Sequence, residues 1–128
     1  MAKTSHDLVM AARARIQEIS LAEARSLLAQ NPLVLDVREP DEFVAGHLPG
    51  AINVPRGLLE FRLAGLAPLL QTPPPAVLVY CKTGGRAALA TVVLHEMGVT
   101  QAMSLAGGFD AWAGAGLPVD QPAPLDFE

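Results

Sequence analysis

Short, nearly unbroken apolar runs alternate along the chain with stretches whose apolar residues recur every three or four positions. The runs are Leu33-Val34-Leu35-Asp36-Val37, Ala51-Ile52-Asn53-Val54, Val77-Leu78-Val79-Tyr80 and Ala102-Met103-Ser104-Leu105. Such runs suit strands of a parallel sheet, which are covered on both faces. Residues 17–19 add a short edge strand. Between the runs the period changes to that of a helix. Leu8, Ala12 and Ile16 mark a helix over residues 7–17. Ser20-Leu21-Ala22-Glu23 forms a capping box that opens a second helix, ended near Ala29 by Asn31-Pro32. Pro40 opens a short helix, with Asp41 and Glu42 in its first turn and Gly46 at its end. Leu59, Leu63 and Leu66 stripe a helix over residues 56–67, which Pro68 should end. Ala90, Val93, Leu94 and Met97 share a face of a helix over residues 86–97, with Gly98 just past it. A last short helix over residues 109–113 carries Trp112 as a core anchor. Strands alternating with helices predict an α/β domain, a mostly parallel central sheet of about five strands with helices on both faces. Residues 1–6 and the stretch from Asp120 onward read as loose ends. The first helix reads as packed on the domain surface rather than as a docking or dimerisation helix. Residues 71–75 read as an extended, proline-rich connection.

The 128-residue length fits one domain able to bury a core, and 51% apolar residues argue against disorder. A net charge of −4 argues against a nucleic-acid partner. The single cysteine excludes an internal disulfide and suits a reducing compartment. No apolar run is long enough to span a bilayer, and the N-terminus lacks the apolar core of a secretory signal. Asp7 and Glu18 argue against a transit peptide, so a cytoplasmic location without membrane contact is expected.

The chemistry concentrates at Val77-Leu78-Val79-Tyr80-Cys81-Lys82-Thr83-Gly84-Gly85-Arg86-Ala87, a strand, a tight loop and the start of a helix. A lone cysteine is commonly just a small buried hydrophobe. Here its setting points elsewhere. Gly84 and Gly85 let the loop curl and turn its amides inward, forming an anion-binding nest. The helix beginning near Arg86 adds its positive end. Lys82 and Arg86 bring two cations, although a lysine in a loop can equally be a solvated surface residue. A thiolate, the reactive form of cysteine, would be stabilised there. Cys81 therefore reads as a nucleophile in a cradle for an anion. Asp36, breaking its apolar run, reads as a cap or turn ligand at the strand end. His47, in a loop with no partner visible in sequence, and His95, in a last helical turn, read as structural. The three histidines and one cysteine show no metal-ligand spacing, so no metal or cofactor is expected.

Three motifs together resemble those of the single-domain rhodanese (thiosulfate sulfurtransferase-like) family. They are Gly46-His47-Leu48-Pro49-Gly50-Ala51, downstream of Asp36-Val37-Arg38; Cys81-Lys82-Thr83-Gly84-Gly85-Arg86; and Gly107-Gly108-Phe109 with Trp112 and Gly116-Leu117-Pro118-Val119. Any one would be weak, but three in this order are strong. Ala87 departs from the pattern, since relatives often carry serine after the arginine. The resemblance implies a rhodanese-like domain over residues 18–119; the helical extension over residues 1–17 and the tail over residues 120–128 lie outside it. The resemblance also implies that Cys81 attacks the outer sulfur of a donor such as thiosulfate, releases sulfite and carries a persulfide. A thiophilic acceptor, cyanide or a thiol, then takes the sulfur. The amides from Lys82 to Arg86 would hold the persulfide charge, so that Lys82, Thr83, Gly84, Gly85 and Arg86 bind substrate and Lys82 favours an anionic donor. Asp36, Arg38 and Glu42 would support the loop. Arg86 has two open roles: binding the donor, or bracing the loop against a carboxylate such as Asp36 or Glu42. Three other readings stand beside the enzyme. One is a sulfur carrier served by a protein partner, and another is a non-catalytic interaction module, against which the intact Cys81 argues. The third, a cysteine phosphatase, is disfavoured because such loops hold five residues between cysteine and arginine, whereas four stand between Cys81 and Arg86. Tyr80 also stands where those phosphatases usually carry histidine.

Overall fold

A computed structural model of the protein describes residues 2–71 and 76–121. The apolar runs form one five-stranded sheet in the order β1-β5-β4-β2-β3, with every neighbouring pair parallel. The strands are β1 (Glu18–Ile19), β2 (Leu33–Asp36), β3 (Ile52–Asn53), β4 (Val77–Tyr80) and β5 (Ala102–Leu105). The helices are α1 (Ser5–Arg13), α2 (Leu21–Leu28), α3 (Pro40–Ala45), α4 (Leu59–Arg62), α5 (Ala67–Gln71), α6 (Gly85–Glu96) and α7 (Gly108–Gly114). The mostly parallel α/β sheet expected from the alternation is what forms.

The two-residue period of a strand sorts the core into two layers. Leu33, Leu35, Val37, Val77, Val79 and Cys81 face one side, where Ala87, Ala90 and Leu94 of α6 and Leu59 of α4 cover them. Val34, Leu78 and Tyr80 face the other, against Ala24 of α2 and Trp112 of α7. Cys81 continues this alternation one step past β4, so its side chain points toward α6 while Tyr80 points away from it. The strand order reverses direction between β2 and β4. The carboxyl ends of these two strands, carrying Arg38 and Cys81, therefore meet at the crevice where parallel α/β sheets place their ligands.

Three expectations need correction. The first helix begins inside the stretch expected to be loose. Thr4 Oγ1 accepts from the Asp7 amide at 3.1 Å and Asp7 Oδ2 accepts from the Thr4 amide at 2.9 Å, a capping box that fixes the start of α1 at Ser5. The helix also stops at Arg13 rather than reaching residue 17, because the chain must turn to lay Glu18 beside Ser104. It packs on α6, as a surface-packed helix should. The single helix expected over residues 56–67 is instead a 3₁₀ turn (Arg56–Leu58), α4, a second 3₁₀ turn (Leu63–Leu66) and α5. Gly57 and Gly65 weaken a continuous helix there. Pro68 does not end this segment; it lies in the first turn of α5, where its missing N–H removes no helical bond. Finally, Asp120 is not loose. Its amide donates to the His47 carbonyl at 2.8 Å and its carbonyl accepts from the His47 amide at 2.9 Å. The rest of the expected tail, residues 122–128, and residues 72–75 of the proline-rich connection lie outside the described residues.

Candidate active site

Cys81 follows β4 directly and is 1% exposed. Its Sγ accepts hydrogen bonds from the amide of Gly84 at 3.1 Å and of Ala87 at 3.3 Å. Gly84 caps α6 with φ +120°, a conformation that L side chains rarely adopt, and this aims its amide back at the sulfur. Both donors belong to the start of α6, whose dipole adds positive potential at the same point. The expected range of donors, Lys82 to Arg86, thus contributes Gly84, and the second amide comes from Ala87, one residue beyond it. The alanine at that position removes a hydroxyl but keeps the amide that matters.

The loop is also held from the opposite side. The first amides of α7 donate to it, Phe109 N to the Cys81 carbonyl at 2.8 Å and Asp110 N to the Lys82 carbonyl at 3.0 Å. Gly108 makes this approach possible. Its φ is +61°, and a Cβ there would stand 2.6 Å from both carbonyl oxygens. The glycine pair of the third motif therefore serves the loop of the second.

Of the two open roles of Arg86, bracing has its contact in the structure. Arg86 Nη1 and Nη2 donate to Glu42 Oε1 and Oε2 at 2.8 and 3.1 Å. Glu42 also accepts from the Glu39 amide at 3.0 Å, so α3 is tied to the start of α6. The Arg86 guanidinium holds the Glu42 carboxyl down at about 2, against an ordinary 4.5, with burial opposing and the Glu39 amide assisting. A carboxyl lowered on folding stabilises the fold fully above its unfolded value, and that contribution fades as pH falls through the folded one. Between about pH 4.5 and 2, wild-type protein should therefore lose thermal stability more steeply than Glu42→Gln. Matched melting temperatures across that range check this, and parallel curves would contradict it.

Asp36, the other carboxylate considered for Arg86, belongs to Arg38. Arg38 Nε lies 3.0 and 3.1 Å from the two Asp36 oxygens and Nη2 donates to Oδ2 at 2.7 Å. Both residues are buried. Nη2 also donates to the Gly46 carbonyl at 2.6 Å, and the guanidinium lies 4.3 Å from the Phe109 ring centre. Burial opposes the Arg38 charge, but the Asp36 carboxylate outweighs it and holds the guanidinium protonated. Tyr80 sits behind this pair, with its hydroxyl accepting from the Leu48 amide at 3.0 Å. Burial, then the Asp36 charge, push its phenol upward, so it stays neutral.

Lys82 is exposed and pairs with Asp110 at 3.2 Å; Thr83 is exposed beside it. Lys82 joins Arg38, Glu42, Ala45, Gly46, Phe109 and Asp110 in lining a cleft of about 220 Å³. Sequence reasoning missed Phe109 and Asp110 as site residues, although they sit in a motif it had noticed. His47 Nδ1 lies 3.0 Å from the Phe43 carbonyl and its ring stacks on Phe43, consistent with a structural role. His95 Nε2 lies 2.8 Å from the Ala102 carbonyl, in the same sense.

Comparison with known proteins settles the lineage. The rhodanese-like domain family matches residues 20–115. The chain belongs to this family. Thiosulfate sulfurtransferase 16, chloroplastic, from Arabidopsis thaliana is 34% identical over 85% of this chain and 98% of its own length. The human thiosulfate:glutathione sulfurtransferase is 36% identical over 73% of this chain and 90% of its own. Among solved structures, a Rhodopseudomonas palustris protein of unknown function, described as a possible tyrosine phosphatase, superimposes with a TM-score of 0.83 at 28% identity. That superposition covers 94% of this chain and 96% of the other. The relatives named as sulfurtransferases support sulfur transfer as the activity of this rhodanese-like chain. No helix among the described residues is long and apolar enough to cross a membrane.

Proposed function

We propose that the protein moves sulfane sulfur from a small anion such as thiosulfate to cyanide or a thiol, through a persulfide on Cys81. The observation that carries this reading is the Sγ of Cys81 held by the Gly84 and Ala87 amides at the start of α6. The rhodanese-like unit over residues 18–119 carries the chemistry, with residues 1–17 as an extension packed on it and residues 120–128 as a tail.

In the first half-reaction the Cys81 thiolate attacks the outer sulfur of thiosulfate. A sulfur–sulfur bond forms to Cys81, the bond inside thiosulfate breaks, and sulfite leaves with its electron pair. The persulfide anion remains in the loop, where amide dipoles offset its charge. In the second half-reaction cyanide attacks the outer sulfur, thiocyanate leaves and the Cys81 thiolate returns. No net proton is consumed. Lys82, Thr83, Gly84, Gly85 and Arg86 form the binding loop, Lys82 draws the donor anion to the mouth, and Asp36, Arg38 and Glu42 hold the walls. Arg86 acts as the brace to Glu42. The loop keeps four residues between Cys81 and Arg86, a smaller ring than a phosphate cradle, which favours sulfur transfer over the phosphatase reading. The single cysteine suits a reducing compartment, and we place the protein in the cytoplasm.

Steady-state turnover of thiosulfate and cyanide tests the proposal. Thiocyanate should appear with parallel double-reciprocal lines, as two half-reactions through a covalent intermediate require. Absence of thiocyanate would contradict thiosulfate use and move the assignment to a carrier loaded by a protein partner.

A further inference from the structure

Helix α1 precedes the residues matched by the family, yet it reaches the active loop. It lays two side chains against the loop glycines. A Cβ built on Gly84 would stand 3.3 Å from Arg13 Nη2, and one built on Gly85 would stand 3.5 Å from Val9 Cγ2. The Arg13 guanidinium therefore backs the residue whose amide donates to Cys81 Sγ.

Its electrostatic state differs from that of the other cations around the site. Arg38 is paired with Asp36 at 2.7 Å, Arg86 with Glu42 at 2.8 Å and Lys82 with Asp110 at 3.2 Å. Each of these cations has a carboxylate in hydrogen-bond contact. Arg13 faces Glu18 with Nε 3.6 Å from Oε2, beyond hydrogen-bond length. That Nε is closed off from solvent and has no hydrogen-bond partner among the described residues. A guanidinium so placed leaves more of its field at the loop than a tightly paired one.

We infer that Arg13 is a positioning residue for Cys81: from the N-terminal helix it fixes Gly84 and supplies positive potential behind the amide that faces the sulfur. The inference deepens the reading above and rests on Cys81 being the nucleophile. Its physical content is a better-held negative charge on the sulfur than the loop would give alone. Among the described residues, the ion pairs at and behind the loop are Arg86 with Glu42, with Glu39 also near, Arg38 with Asp36, Lys82 with Asp110, and Arg13 with Glu18. Only the last pair comes from outside the matched residues 20–115.

Alkylation of Cys81 by iodoacetamide tests this, because it reports the anionic sulfur and needs no sulfur donor. The readout is the ratio of the alkylation rate at neutral pH to that at alkaline pH, where thiols are ionised. Arg13→Gln should lower the ratio about threefold, the scale expected when one unit charge is removed across a partly solvated gap. Arg13→Lys should restore most of it. Glu18→Gln removes the counter-charge and should raise the ratio about twofold. A salt bridge that served only stability would lower the melting temperature in both glutamine variants and leave both ratios at the wild-type value, which would overturn the inference. Opposite shifts in the two variants support it, and Glu18→Gln alone decides if Arg13→Gln does not fold. Sulfur transfer is measured separately on the same wild-type protein. Normal transfer with unmoved ratios would overturn the role of Arg13 alone, whereas the expected ratios without transfer would overturn only the proposed activity.

Discussion

Replacing Cys81 with serine should lower sulfur transfer by about a thousandfold or more while the protein stays folded. The activity part follows from the chemistry. Serine at neutral pH is a protonated hydroxyl, and its oxygen cannot carry a sulfane sulfur through the cycle. The stability part follows from the site. The serine oxygen can still accept from the Gly84 and Ala87 amides that now reach Sγ, and the smaller atom leaves little void at a position 1% exposed. Thiocyanate production and a melting curve on the same sample check both halves. Retained turnover in the folded variant would remove Cys81 from the mechanism.

Replacing Arg38 with methionine should destabilise the fold by about 3–5 kcal/mol, a large share of what a domain this size possesses. The substitution strands Asp36, which is fully buried and takes three of its hydrogen bonds from the Arg38 side chain. An uncompensated buried carboxylate must either stay charged without a partner or take up a proton, and both oppose folding. The Gly46 carbonyl loses its donor as well. Adding Asp36→Asn removes the stranded charge, so the double variant should recover part of the loss. Urea unfolding of Arg38→Met, of Asp36→Asn alone and of the double variant measures the coupling. A loss below about 1 kcal/mol in Arg38→Met would show that the pair is not a structural tie.

The fold was legible because its signals are local. Apolar runs, the capping box at Ser20 and Glu23, and the glycine after α6 each act within a few residues. The α1 capping box at Thr4 and Asp7 is equally local and was readable, but an aspartate stands where the usual pattern has glutamate. The broken helix over residues 56–71 was foreshadowed by Gly57, Gly65 and Pro68, whose combined effect outweighed a regular leucine stripe. At the site, the placement of Cys81 at a strand end, followed by a glycine loop and a helix start, was legible from one stretch of chain. The partners were not. Choosing Glu42 over Asp36 for Arg86 depends on how β2, α3 and α6 sit in space, and no spacing encodes that. The same holds for the clamp of α7 on the Cys81 and Lys82 carbonyls, and for Arg13, which reaches the loop from a helix outside the three motifs.

The central claim is that this loop carries sulfur on Cys81, and intact-protein mass spectrometry after thiosulfate treatment without reductant tests it most directly. The account predicts a gain of one sulfur atom, removed by cyanide and absent in Cys81→Ser. An unchanged mass in the wild-type protein, or the same gain in Cys81→Ser, would contradict it.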